Sequence, residues 1–205
     1  ALTLPRYGLG NYLKERPHEP PTAAEARVIA DLSRAGKRLM GFCRTNLFKR
    51  LESSGQAFLQ SIQRHILRNF VYLHALENAQ PLPIGTQDAS LLDALNTDAD
   101  RDLFAPEEDE DNDHQEPDVL RLHTEADFRR RAAEVYAQYA GPLKRRFRWL
   151  RADRFLPQLA SDLRTDSIAL LAVLQRCGDW DPDRDAKLKT LLRLITYEHR
   201  GKKLI

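Results

Sequence analysis

Cysteine is scarce. Cys43 and Cys177 stand alone, with no metal-ligand spacing around either, so a disulfide framework and a cysteine metal site are both excluded, and a reducing cytoplasm is the expected setting. Long apolar runs are missing too. The longest, residues 168–174, is far too short to span a bilayer, and no membrane partner is expected. The N-terminus carries no signal peptide; the first residue is not Met and the last four are Lys-Lys-Leu-Ile, so both ends read as cuts in a longer protein. An excess of one charge is also lacking. The 32 basic and 30 acidic residues leave a net +2, so only the distribution of charge, not its total, can argue for nucleic acid.

Catalytic signatures are absent as well. The phosphate-binding pattern GxxxxGK[ST] does not occur: Gly36-Lys37 is followed by Arg38, Gly201-Lys202 by Lys203, and neither has the earlier Gly. Asp109-Glu110 lies in a charged run with no apolar strand before it, so nothing would aim it at Mg²⁺. Asp109, Asp111 and Asp113, and again Asp179, Asp181 and Asp183, have the alternation of a calcium loop but not its Gly or its final Glu; capping and solvation account for both. The six histidines are scattered, and neither H-E-x-x-H nor G-x-S-x-G is present. No catalytic residue, metal ligand or cofactor site is assigned, and no turnover is expected of this chain alone.

The most regular stretch runs from 44 to 78. Leu47, Leu51, Phe58, Ile62, Ile66, Leu73 and Leu76 recur at helical spacing and predict one long helix with an apolar stripe. Arg50, Ser54, Ala57, Ser61, Arg64 and Arg68 form a second stripe, in which three guanidinium groups alternate with small side chains. Such a stripe suits a phosphate backbone, an acidic neighbour or plain solvent. Ser53-Ser54-Gly55 is its weak point, because Gly costs on the order of 1 kcal/mol in a helix interior, and a kink or break is expected there. His65, near the apolar face, reads as a core-edge residue.

The rest of the chain reads as further helices. Residues 1–21 are Pro- and Gly-rich and predict a loop with a helical turn around Tyr12 and Leu13. Thr22 and Glu25 form a capping box, and Gly36 or Gly41 is the expected end of that helix. Pro81 and Pro83 stop the long helix, and Leu91, Leu92 and Leu95 suggest a short one. The acid-rich stretch 97–118 predicts a disordered linker. Thr124 caps a helix burying Phe128, Ala132, Val135 and Tyr139. Another, from about Pro157 to Cys177, buries Leu159, Leu163, Leu170 and Leu174, with Gly178 as its C-cap. Asp181-Pro182 opens the last helix, with Leu188, Leu191 and Ile195 on its apolar face. With no period-two alternation and no internal repeat, the expected fold is all-α: an irregular bundle of about five to seven helices, with helical parts at 1–96 and 119–200 on either side of the linker.

A second basic signal lies at Lys144-Arg145-Arg146-Phe147-Arg148-Trp149-Leu150-Arg151. On a helix, Lys144, Arg148 and Arg151 would share one side and Leu143, Phe147 and Leu150 the buried side. The cations pair with phosphates and Trp149 can stack on a base or sugar. An amphipathic helix whose cations meet the acidic linker or water is an equally good account.

Two blocks carry a family resemblance. Lys49-Arg50-Leu51-Glu52-Ser53-Ser54 with Ala57-Phe58, and later Asp185-Ala186-Lys187-Leu188, Leu191-Leu192 and Gly201-Lys202-Lys203-Leu204-Ile205, resemble the helical region that joins the two RecA-like motor lobes of bacterial Swi/Snf-type ATP-dependent DNA helicases. The match covers 37–78 and 182–205. The resemblance implies that residues 201–205 begin a strand of the second lobe and that ATP and magnesium belong to the parent protein. It also implies two partners, the motor lobes and double-stranded DNA, the latter held without sequence preference through Arg50, Arg64, Arg68, Lys144, Arg145, Arg148, Trp149 and Arg151. A protein-interaction or regulatory module that does not touch DNA is the alternative.

Overall fold

Thr22 starts the first helix as its capping box predicts: its side chain accepts from the Glu25 amide, and the Glu25 carboxylate accepts from the Thr22 amide. In the computed structural model, which describes residues 2–85, 122–178 and 181–198, with the backbone alone for 33–40, 42–44 and 198, this helix does not stop at Gly36 or Gly41. It runs on as α1, Ala23–Ser53. A helical Gly costs about 1 kcal/mol, too little to end a helix of 31 residues.

The single helix expected over 44–78 is two. Ser54 alone leaves the helical conformation, at φ −155° and ψ 131°, and α2, Gly55–Glu77, begins at once. Ser54 serves both ends. Its N–H donates to the Arg50 carbonyl, and its hydroxyl accepts from the Ala57 amide. Arg50 then bridges the corner, donating to Ser61 Oγ at 2.7 Å. The break expected at Ser53-Ser54-Gly55 is therefore a capped joint.

The remaining elements close around α2. Residues Pro5–Tyr12 form a 3-10 turn on α1 rather than a loop with one turn at Tyr12. Thr124 caps α3, Glu125–Ala140, with a second capping box through Asp127, and Phe128, Ala132, Val135 and Tyr139 are buried as their spacing predicts. Helix α4, Gln158–Cys177, buries Leu159, Leu163, Leu170 and Leu174 and ends at Gly178, whose φ of 65° favours glycine. α2 packs against both α3 and α4, and the two helical parts of the chain share one hydrophobic core.

The segment expected as an amphipathic helix over 143–152 is not one. Lys144–Arg146 is a single 3-10 turn, and β2, Arg148–Leu150, pairs antiparallel with β1, Leu82–Ile84, with Leu82 opposite Leu150. Phe147 and Leu150 are buried all the same. The β1 backbone supplies the bonds that a helix would have made internally. Asp181 caps a 3-10 turn, Pro182–Arg184, and Asp185, not Asp181, caps the last helix, α5, Ala186–Arg193. The fold is predominantly helical, as expected. The predicted linker 97–118, the short helix at Leu91–Leu95 and the strand start at 201–205 lie outside the described residues. Among the described residues no helix is long and apolar enough to cross a membrane.

Glu77, at the end of α2, ties three helices together. Arg129 of α3 reaches it at 2.9 Å and Arg164 of α4 at 2.6 Å. Burial opposes its ionisation, but the two guanidinium groups outweigh this and hold the carboxyl below its ordinary 4.5. Its contribution to stability is thus present above that value and lost as the pH falls through the lowered folded pKa. Glu77→Gln is expected to flatten the acid limb of a stability–pH profile measured by urea unfolding. An unchanged slope below pH ~4.5 would show that the pairs contribute nothing.

Candidate nucleic-acid interface

The first group of candidate phosphate contacts does not lie on an open stripe. Arg64 is 1% exposed and Arg68 8%, and Arg50 is turned to Ser61 across the joint. The expectation of a solvent-facing stripe through Arg50, Arg64 and Arg68 is corrected. Helical phase shows which residues share a face; it does not show that another segment covers that face.

Residues 2–14 pack on α1 and are pinned to α4. The buried Asp166 carboxylate on α4 accepts from the Thr3 amide at 2.9 Å, the Thr3 hydroxyl at 3.2 Å and the Leu4 amide at 2.7 Å. One turn earlier, Asp162 accepts from the Tyr12 hydroxyl at 2.8 Å. The Lys14 amide donates to the Arg154 carbonyl, and the Leu156 amide to the Tyr12 carbonyl. Between these fixings Tyr7 stacks on His65 of α2, with ring centres 5.8 Å apart. Burial holds His65 well below its ordinary pKa, and the neighbouring Arg6 and Arg68 charges push the same way.

The second group is split by the strand. Arg148 pairs with Asp31 of α1 at 2.5 Å. Arg151 donates to Glu19 at 2.6 Å and to Glu25 at 3.1 Å. Trp149 donates its indole N–H to the Lys144 carbonyl at 2.9 Å and meets Tyr136 and Phe147 edge-on. Arg148, Trp149 and Arg151 therefore do not form one cationic helix face with Lys144; acids and packing already engage them. Lys144 and Arg145 are exposed on the 3-10 turn and make no ion pair among the described residues. They are the part of the predicted set best presented to a phosphate.

The sequence reading missed two charged residues that matter. Arg154, 2% exposed, pairs with Glu25 at 3.0 Å and donates to the carbonyls of Glu19 and Pro20. Burial resists Glu25 ionisation, but the Thr22 amide and Arg151 outweigh it and keep the carboxyl below its ordinary pKa. Asp166 did leave a signal: it falls in the inward phase of Leu159, Leu163 and Leu170, where an acid needs partners. Among the described residues no three His, Cys, Asp or Glu side chains converge as metal ligands. Comparison with protein-family models, with curated proteins and with solved structures gives no match for this chain.

Proposed function

We propose that this chain is the helical region joining the two motor lobes of a Swi/Snf-type ATP-dependent DNA helicase or translocase, docking the lobes and touching the DNA backbone without reading sequence. It has no turnover of its own on this reading; ATP and magnesium belong to the lobes. The observation that carries the reading is where apolar surface is left open. Among the described residues, six of the nine exposed large hydrophobic side chains lie in the two blocks that resemble the family: Phe48, Leu51, Leu191, Leu192, Ile195 and Tyr197. Phe48 and Leu51 flank the capped joint, and Tyr197 is 80% exposed. Exposed apolar side chains concentrated in these two stretches are what a docking face would leave open.

DNA contact on this reading falls chiefly to Lys144 and Arg145. The neutralised Arg148 and Arg151 and the interior Arg64 and Arg68 favour a second reading, an interaction module that holds the lobes and leaves DNA to them. Fluorescence anisotropy of a short labelled duplex at several salt concentrations separates the two. Log-linear weakening with salt is expected, with the slope falling by about 0.9 for each of Lys144→Ala and Arg145→Ala. No binding at low salt would leave the interaction module standing.

A further inference from the structure

The last helix is the least explained part of the fold. α5 is eight residues long and buries none of them. Among the described residues it packs against the turns on either side of it, Pro182–Arg184 and Leu194–Glu198. Isolated helices shorter than about 12–15 residues are marginal in water, so α5 needs a surface to lie on. Its sequence says which face would do so. Leu188, Leu191, Leu192 and Ile195 stand at positions i, i+3, i+4 and i+7 and share one side. The last three are exposed. Lys187 and Lys189 flank that side and are exposed too. No acid occurs from 186 to 197.

An occupant of this face has to be apolar at its centre and acidic at its margins. A second copy of the chain fails the second condition, because two α5 helices would bring Lys187 and Lys189 against the same lysines. The chain itself holds a stretch that meets both. Residues 98–118 contain 11 of its 30 acidic residues and one of its 32 basic ones, which leaves 31 basic against 19 acidic residues elsewhere. Within that stretch stands a single pair of large apolar residues, Leu103-Phe104, with Asp100 and Asp102 before it and Glu107 and Glu108 after it. Reach is ample. Phe104 is 18 residues from Leu122, the nearer described residue. At about 3.3 Å per residue that length spans roughly 59 Å. The longest helix, α1 with 31 residues, measures only about 46 Å.

We propose that Leu103 and Phe104 dock on the Leu188–Ile195 face of α5, with the acids on either side of them meeting Lys187 and Lys189. The contact is intramolecular, so it need not be tight. Joining two sites by a short linker gives an effective concentration on the order of 1 mM, and a pair that binds only at that level when separate is half formed when joined. The inference goes beyond the reading of the chain as a helicase segment and needs neither DNA nor a motor lobe. Under that reading it adds a competitor: a lobe that takes the α5 face must first displace Leu103 and Phe104.

The test uses the whole chain. Leu103→Ser with Phe104→Ser removes the apolar anchors and leaves every described residue in place. Lys187→Glu with Lys189→Glu reverses the charge beside the face. Amide hydrogen exchange and amide chemical shifts at 191–195 are read in each. A half-formed contact protects these amides about twofold, so exchange should quicken by that factor in both variants, and the shifts should move with it. A synthetic peptide of residues 98–118, added at millimolar concentration to the Leu103→Ser, Phe104→Ser chain, should restore the shifts. The same peptide with both residues replaced by Ser should not. Unchanged exchange and shifts in either variant would overturn the proposal. So would protection that grows with protein concentration in the serine variant, because a second copy would then be the occupant. Neither result bears on DNA contact, which the Lys144 and Arg145 variants score separately.

Discussion

Arg154→Ala is expected to cost roughly 3–5 kcal/mol of folding free energy, the loss usual when one partner of a buried ion pair is removed. The guanidinium is 2% exposed and holds three acceptors: the Glu25 carboxylate at the start of α1, and the carbonyls of Glu19 and Pro20 just before it. Removing it leaves two carbonyls short of a donor and the Glu25 carboxylate facing a cavity, although Arg151 and Thr22 still hold part of its charge. Urea unfolding of the variant measures the cost. A paired replacement, Arg154→Met with Glu25→Leu, should recover most of it, because no charge then remains buried. A loss below about 1 kcal/mol for Arg154→Ala would show that the pair is solvated in solution.

Phe128→Ala should cost a similar amount, about 3–5 kcal/mol, by a different route. Phe128 is fully buried on α3 and stacks on Phe70 of α2, ring centres 6.1 Å apart and 18° between planes. Arg129 covers the outer face of Phe70 with its guanidinium 5.3 Å from the ring centre. The truncation therefore opens a void between two helices whose other contacts stay in place. The denaturation midpoint should fall with the urea m-value unchanged. If the midpoint barely moves, α3 closes the gap and the α2–α3 packing is softer than its burial implies.

These residues show where the sequence could be read and where it could not. Thr22 and Thr124 announced their helices because a capping box is local chemistry, complete within four residues. Phe128, Val135, Leu163 and Leu170 were legible because inward phase repeats. The joint at Ser54 was half legible. Gly55 flagged a weak point, but the apolar phase of Leu47, Leu51, Phe58 and Ile62 continues through it, and the double use of Ser54 as a cap leaves no periodic trace. β2 was invisible because three residues cannot display alternation and its partner lies 68 positions earlier, Leu82 against Leu150. The candidate site suffered most. Whether Arg64 and Arg68 meet solvent is decided by the elements that pack around α2, and whether Arg148 and Arg151 are neutralised is decided by Asp31, Glu19 and Glu25. None of that is written near the arginines themselves.

The Thr3–Asp166 hydrogen bonds also set the order in which the molecule can be finished. Their partners lie 163 residues apart, so during synthesis the segment around Thr3 emerges well before the helix that holds it. At roughly 5–20 residues per second it waits about 8–30 s for α4. In that interval the Thr3 and Leu4 amides have no carboxylate to meet. A nascent chain halted before residue 166 should therefore leave that segment unanchored, and the arrival of α4 is the event that fixes it.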